Sequence, residues 1–518
     1  MSSSVFVATG ILLSRIIGLV RQRVFAHYFG LESDAADAWS AGFRIPNFLQ
    51  NLFGEGAMSA SFIPVYARLL ARGEDAEADR VAGAVGALLA LLTTALVAAG
   101  VVATPVFIAL IAPGFHGEKR DLTIRVVRIL FPGIGLLVLS AWCLGILNSH
   151  RRFFLSYAAP VLWNVVIIAT LLCFGGRRSA ESLAIATAWG AVAGSAAQLA
   201  VQLPRTFRLA HGMRARIRVR DPEVATVFRN FAPAFVSRGV VQLSAYVDQV
   251  LASLLPVGAV AALGYAQTLY TLPVSLFGMA VTAAELPAMS SALGEEDDVA
   301  RHLRARLGAA LRRVAFFIVP SAVAFAALGD VVTAAIYETG RFGSGDVAYV
   351  WGILAGSAVG LLASTLGRLY ASTWYALRDA RRPLRFALVR LAVTTALGIA
   401  LAFPAPRWLG LEPRWGAAGL TLAAGVAGWV EFALLRRSLA PRIGRVSLAP
   451  TFLAALWGSA AVAAAATWAL KLALPPLPPL LAAAALLGPY GALYFALAAL
   501  LGVTESRAVL RRALALRA

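Results

Sequence analysis

Fourteen apolar runs, each long enough to cross a bilayer, recur along this chain and leave few folds open to it. They fall near 5–29, 35–69, 82–112, 122–148, 154–175, 182–204, 227–255, 258–291, 309–329, 346–376, 384–403, 415–435, 448–473 and 480–503. A hydrocarbon core about 30 Å thick needs roughly 20 apolar residues per helix, and in lipid every backbone N–H and C=O must find its partner inside the protein. Repeated runs of this length predict an all-α polytopic membrane protein. The residues agree: 60% are hydrophobic and 14% charged, whereas a soluble domain is about 25% charged. The first run has no basic residue ahead of it and is broken by Arg15, so it predicts a membrane helix, not a cleavable signal.

The formal net charge of +20 raises the question of a nucleic-acid partner. The basic residues are distributed by loop, however, and orientation in a membrane explains them better. With the N-terminus inside, the segments predicted to be cytoplasmic hold Arg205 to Arg220, Arg301 to Arg313, Arg378 to Arg385, Arg436 to Arg445 and the tail with Arg507, Arg511 and Arg512. The outside loops at 256–258 and 475–479 hold none, and the exceptions are Lys119 with Arg120 and Arg177 with Arg178. Both termini are therefore expected in the cytoplasm, with membrane lipids and not nucleic acid as the surroundings.

Enzyme signatures are missing. Neither lysine, 119 or 471, follows a glycine, so there is no GxxxxGK[ST] phosphate loop, and there is no HExxH. Cys143 and Cys173 both lie within apolar runs and suggest neither a disulfide nor a metal site. The expectation is a carrier, not an enzyme, with no cofactor and no bound metal.

A weak repeat divides the chain. "LFGEGAMSASFIP" at 52–64 is similar to "LFGMAVTAAELP" at 276–287, and "LNSHRRFFLSYAAPV" near 147–161 is followed at a similar offset by "YALRDARRPLRFALV" near 375–389. This predicts two six-helix pseudo-repeat lobes, 1–210 and 225–440, and two further helices with a tail over 447–518. Internal repeats of this kind are common in secondary transporters. Each repeated segment carries membrane prolines, Pro46 and Pro64 in the second helix and Pro273 and Pro287 in the eighth, which remove backbone donors and are expected to kink and gate.

Charges inside the membrane mark the candidate site. A charge at the bilayer centre costs about 3 to 17 kcal/mol, so those retained usually face water or a partner. At about 100° per residue, Arg44 lies within about 20° of Asp37, Glu55 falls on the same azimuth as Asp37, and Asn51 lies about 40° away. Helix one adds Arg15 and Arg21, helix seven Arg238 and Asp248, helix eight Gln267 and Glu285, helix ten Arg368 and helix twelve Glu431. Arginine's planar fork suits bidentate recognition of phosphate, so an anionic headgroup is the expected cargo; the bland alternative is that these charges pair only to hold helices together.

The stretches "SRIIGLVRQRVFAHYFG" (14–30), "DAADAWSAGFRIPNFLQNLFGEGAMSASFIPVYA" (34–67), "LGILNSHRRFFLSYAAPVLWN" (144–164), "YVDQVLASLLPVGAVAALGYAQTLYTLPVSLFGMAVTAAELPAMS" (246–290) and "YALRDARRP" (375–383) resemble the MurJ (MviN) family of lipid II flippases, of the multidrug/oligosaccharidyl-lipid/polysaccharide exporter superfamily. The resemblance runs through nearly the whole chain. It implies transport of the lipid-linked peptidoglycan precursor from the cytoplasmic to the periplasmic leaflet of the bacterial inner membrane, by alternating access, without ATP hydrolysis and driven by the membrane potential or an ion. It implies a central cationic cavity formed by helices one, two, seven and eight, and a groove near the last two helices for the polyprenyl tail. Carried over by position, Arg15, Arg21, Asp37, Arg44, Asn47, Asn51 and Glu55 are substrate-binding candidates, with Asp248 on helix seven. Where many members have an Arg pair, this chain has Gln50 and Asn51, and where they have Arg in helix eight it has Thr268 after Gln267; Arg238 is the candidate replacement charge. Two alternatives stay open: export of another undecaprenyl-linked saccharide, and a non-transporting scaffold recruiting cell-wall synthases through the basic loops 204–226 and 291–308.

Overall fold

In the computed structural model the chain is built from helices that follow the apolar runs. The structure describes residues 3–509 except 54, 215, 217–220, 280, 283, 284, 286–288, 290–295, 378, 380 and 508; side chains are described outside 3–11, 46–57, 59, 60, 153, 232–245 and 296. The helices are α1 (Ser3–Phe29), α2 (Asp34–Phe53), α3 (Glu55–Ala71), α4 (Asp75–Ile111), α5 (Gly117–Ser149), α6 (Phe153–Phe174), α7 (Ala180–Leu209), α8 (Pro222–Ser253), α9 (Ala259–Pro273), α10 (Glu296–Ala327), α11 (Gly329–Tyr337), α12 (Ser344–Ala376), α13 (Arg381–Ala402), α14 (Gly416–Ile443), α15 (Pro450–Ala473) and α16 (Pro479–Leu500). Among the described residues the only strand-like pairing is a bridge between Thr339 and Phe342. The chain is thus an all-α polytopic membrane protein.

Among the described residues ten helices are long and apolar enough to cross a membrane. The other four expected spans are α1, the α2–α3 stretch, α8 and the segment from α9 onward. These carry the expected site charges and the four prolines, and each reaches into positions outside the described side chains.

Local chemistry sets the helix ends. The Asp221 side chain accepts from the Glu223 and Val224 amides at 3.0 and 3.4 Å with Pro222 as the first helical residue of α8, an N-cap with proline where its missing donor is not needed. Gly30 ends α1 at φ +62°, and a Cβ there would stand 2.9 Å from the Arg341 carbonyl oxygen, so glycine is needed for both backbone hand and space. Within the spans, hydroxyls turn back on their own helix, as Thr93, Thr104 and Thr187 do to the carbonyls of Leu89, Gly100 and Leu183 at 2.7 Å each. Each of these buried hydroxyls is thereby satisfied within its own helix.

By contacts the chain forms two compact units: Met1–Ala261 with Thr339–Phe342, and Ala262–Glu338 with Gly343–Ala518. In the first unit α5 is the central helix, packed by α2, α3, α4 and α7, while α6 joins α1 to α7 and α3 lies on α8. In the second, α12 packs on α10, α11 and α14, α13 lies on α14, and α15 and α16 pair and rest on α10 and α11. Small residues let α12 and α14 approach closely: a Cβ on Gly360 would stand 2.4 Å from the Gly425 Cα, and one on Gly356 would stand 2.5 Å from the Thr421 hydroxyl. Lipid is as apolar as leucine, so such close packing, not exclusion from water, holds membrane helices together.

α9 ends at Pro273 and passes into a π-helical segment, Val274–Met279. Proline withholds a backbone donor, and π-helical turns recur where a helix must bend or act. Pro64 lies inside α3; the Pro46 side chain and Pro287 lie outside the described residues.

Candidate functional site

The first unit brings together charges from α1, α2, α5 and α8. Arg21, on α1, has its guanidinium carbon 5.2 Å from the ring centroids of both Phe43 of α2 and Trp163 of α6. Those rings are stacked on each other with centroids 5.6 Å apart. The stack continues through Trp39 at 5.2 Å, Phe25 at 5.5 Å and Phe29 at 4.3 Å. The four-residue steps 21–25–29 and 39–43 place these groups on one face of each helix. Trp163 is fixed in turn, because its indole N–H donates to the Ala191 carbonyl of α7 at 3.0 Å. The guanidinium therefore sits against a rigid aromatic wall, a setting that suits a planar group which keeps its charge.

Arg44 lies seven residues beyond Asp37 along α2, about 10 Å along the axis. It is half-buried and lies within electrostatic reach of Asp248 and Tyr246 of α8. The Tyr246 hydroxyl donates to the Arg44 carbonyl at 3.0 Å, tying α2 to α8 at that level. Arg15 is exposed on α1. Arg21 of α1 and Arg44 of α2 are thus placed by Phe43 and by α8, with Asp248 as the acid near Arg44, whereas Arg15 lies about 120° around α1 from Arg21 and is not on its face.

Asp37 is set differently. Its carboxylate is 1% exposed and accepts from the Lys119 ammonium at 2.5 Å and from the backbone amides of Gly258 and Ala261 at 2.9 Å each. Those amides open α9, where the unsatisfied N–H groups of a helix start favour an anion. Lys119 also lies 3.6 Å from Asp34 and 4.3 Å from the centre of the Phe115 ring. Sequence reasoning did not pair Lys119 with Asp37. The available signal was that Lys119 breaks the rule of few basic residues in outside loops.

The side chains of Asn47, Asn51, Glu55 and Arg238 lie outside the described residues. Of the positions where Arg is replaced, Gln267 is exposed, and the Thr268 hydroxyl donates to its own helix, at the Gly264 carbonyl, at 3.0 Å. Among the described residues no group of three or more His, Cys, Asp or Glu could hold a metal ion. In the second unit Glu285 is buried and meets Arg306 and Arg313 of α10 at 3.3 Å each. It fastens its own segment to α10.

Known proteins give this arrangement a context. The family model described as "Lipid II flippase MurJ" matches residues 25–476. A probable lipid II flippase MurJ of Rhizobium tropici is 33% identical over 432 residues, covering 81% of this chain and 76% of that protein. The lipid II flippase MurJ of Burkholderia cenocepacia is 32% identical over 438 residues, covering 83% and 82%. Among solved structures, a lipid II flippase MurJ in an inward closed conformation superposes with a TM-score of 0.78 at 23% identity, over 98% of this chain and all of that one. An inward-facing multidrug resistance MATE family transporter of the MOP superfamily superposes with a TM-score of 0.65 at 16% identity, over 85% of this chain and 99% of that one.

Proposed function

Because the chain belongs to the lipid II flippase MurJ family and is a multi-pass inner-membrane protein, we propose that it moves lipid II from the cytoplasmic to the periplasmic leaflet by alternating access. Both termini lie in the cytoplasm on this reading. The observation that carries it is the pair of arginines on α1 and α2, Arg21 against the Phe43–Trp163 stack and Arg44 beside Asp248. A diphosphate needs fixed donors in a low-dielectric setting, and an Arg held by aromatic packing loses less entropy on binding than a free one.

On this reading Arg15, Arg21 and Arg44 receive the diphosphate, and Arg238 adds a charge where Gln50 and Asn51 stand in place of the family's arginines. Asn47, Asn51 and Glu55 bind neutral parts of the headgroup, and Asp248 holds Arg44 in place. Asp37 acts by holding Lys119 and the start of α9, since its oxygens already accept from three donors. Pro46, Pro64, Pro273 and Pro287 supply the bends about which the helices gate. No cofactor takes part; the membrane potential or an ion drives the cycle, and cell-wall synthases draw on the delivered lipid.

The test is rescue of bacteria depleted of their own flippase, scored by growth and by lipid II labelled in the outer leaflet. The chain should rescue and a well-expressed Arg44→Ala variant should fail. Failure of both, with normal membrane insertion, would overturn the assignment. The replacement of arginine by Gln50, Asn51 and Thr268 favours a second reading, export of another undecaprenyl-linked saccharide. That reading predicts no rescue and export of a different labelled lipid.

A further inference from the structure

The second unit holds an intramembrane arginine that the flipping site does not use. Arg368 of α12 makes no hydrogen bond or ion pair among the described residues, although Tyr270, Arg390 and Glu431 lie within electrostatic reach. The one carboxylate there is taken, because Glu431 of α14 accepts from Arg390 of α13 at 3.0 Å. Two guanidiniums thus share one acid, and the local sum is positive. A guanidinium carries five N–H donors and does not shed its charge, so Arg368 needs an anion or water that the neighbouring helices do not supply.

Its position says which. α12 has 33 residues, about 50 Å of helix against a hydrocarbon core of about 30 Å. Arg368 stands eight residues before the end of α12 at Ala376, about 12 Å along the axis, which puts it near the boundary where the leaflet's phosphates lie. It is on the exposed face of α12. Tyr375, seven residues on and about 20° away around the helix, is 49% exposed on the same face and offers a hydroxyl nearer the surface. α13, whose Arg390 lies within electrostatic reach of Arg368, presents Leu384 and Leu388 outward, 44% and 51% exposed, as a lipid-facing helix does.

We propose that Arg368, with Arg390 behind it and Tyr375 beside it, is a binding site for the phosphate of an anionic lipid headgroup, held within the second unit and separate from the arginines of α1 and α2. Basic positions between membrane helices at leaflet depth bind such headgroups, and the exposed leucines of α13 give the acyl chains a surface. The proposal does not depend on what the protein flips.

The experiment is native mass spectrometry of the purified full chain in neutral detergent, titrated separately with phosphatidylglycerol, phosphatidylcholine and inorganic phosphate. The parent chain should retain one phosphatidylglycerol that Arg368→Gln binds at least tenfold more weakly, with phosphatidylcholine indifferent to the change. Arg368→Lys, which keeps the charge but not the fork, should fall between them and guards against a folding defect in the Gln variant. Arg368-dependent binding of inorganic phosphate, without lipid selectivity, would keep the phosphate site and reassign its source to the free ion. Equal phosphatidylglycerol retention by the parent and both variants would overturn the site.

Discussion

The Asp37–Lys119 pair gives the sharpest test of how the first unit is held. Asp37→Ala removes an acceptor from one ammonium and from two buried amides. Hydrogen bonds to a charged group contribute about 1.5–3 kcal/mol each, and removing one member of a buried ion pair costs about 3–5 kcal/mol. Lys119 is only 12% exposed, but Asp34 at 3.6 Å partly compensates it. The expected loss is therefore about 5 kcal/mol, which at about 2–4 °C per kcal/mol for a unit of this size corresponds to a fall of about 10–20 °C in Tm. Lys119→Met should cost less, about 3 kcal/mol, because the carboxylate keeps both amides. A thermal double-mutant cycle with Asp37→Ala, Lys119→Met and the double variant, in one detergent, should show coupling of about 2 kcal/mol. Additive losses would refute the account, since Asp37 would then act through the amides alone.

Three further outcomes are expected. Trp163→Leu removes one of the rings beside Arg21; a cation–π contact is worth about 0.5–2 kcal/mol, so outer-leaflet lipid II labelling at matched expression should slow by about 2- to 30-fold, and an unchanged rate would deny the ring a positioning role. Burial holds the His150 imidazole below its ordinary range, with Asp79 and Asp75 opposing and Arg152 adding to the effect. The folded state therefore binds fewer protons, and the stability His150 contributes is present above its unfolded pKa and lost as pH falls through the lowered folded one. The parent's Tm should drop between pH 7.5 and 5.5, and His150→Gln should flatten part of that drop; identical profiles would exclude the residue. Gly360→Ala should lower Tm by overpacking α12 on α14, while Gly367→Ala, whose methyl would meet only Leu435 at 3.9 Å, should be neutral or stabilising; the reverse order would mean that the close approach is not what holds these helices.

Much of the site was legible because its residue types contradict their surroundings. An arginine or aspartate inside an apolar run is visible from sequence, and the four-residue steps place Arg21, Phe25 and Phe29 on one face. The wheel also put Asp37 and Arg44 on one stripe, and there it was less informative. Azimuth does not report depth or the neighbouring helix: Asp37 is closed over by the 258–261 turn and Lys119, while Arg44 meets α8.

Sequence alone determined the helical membrane fold and where its helices run, because hydropathy over twenty residues is a local property and lipid leaves the backbone no other way to satisfy itself. Tertiary structure alone decided which charges are paired. Lys119 is 82 positions from Asp37 and Gly258 is 221 from it, Trp163 of α6 packs beside Arg21 of α1 although four helices lie between them in the chain, and Glu431 is hydrogen-bonded to Arg390 and not to Arg368. Pairing energies fall off within a few ångströms, so they depend on which helices the packing makes neighbours, and the order of residues along the chain does not carry that information.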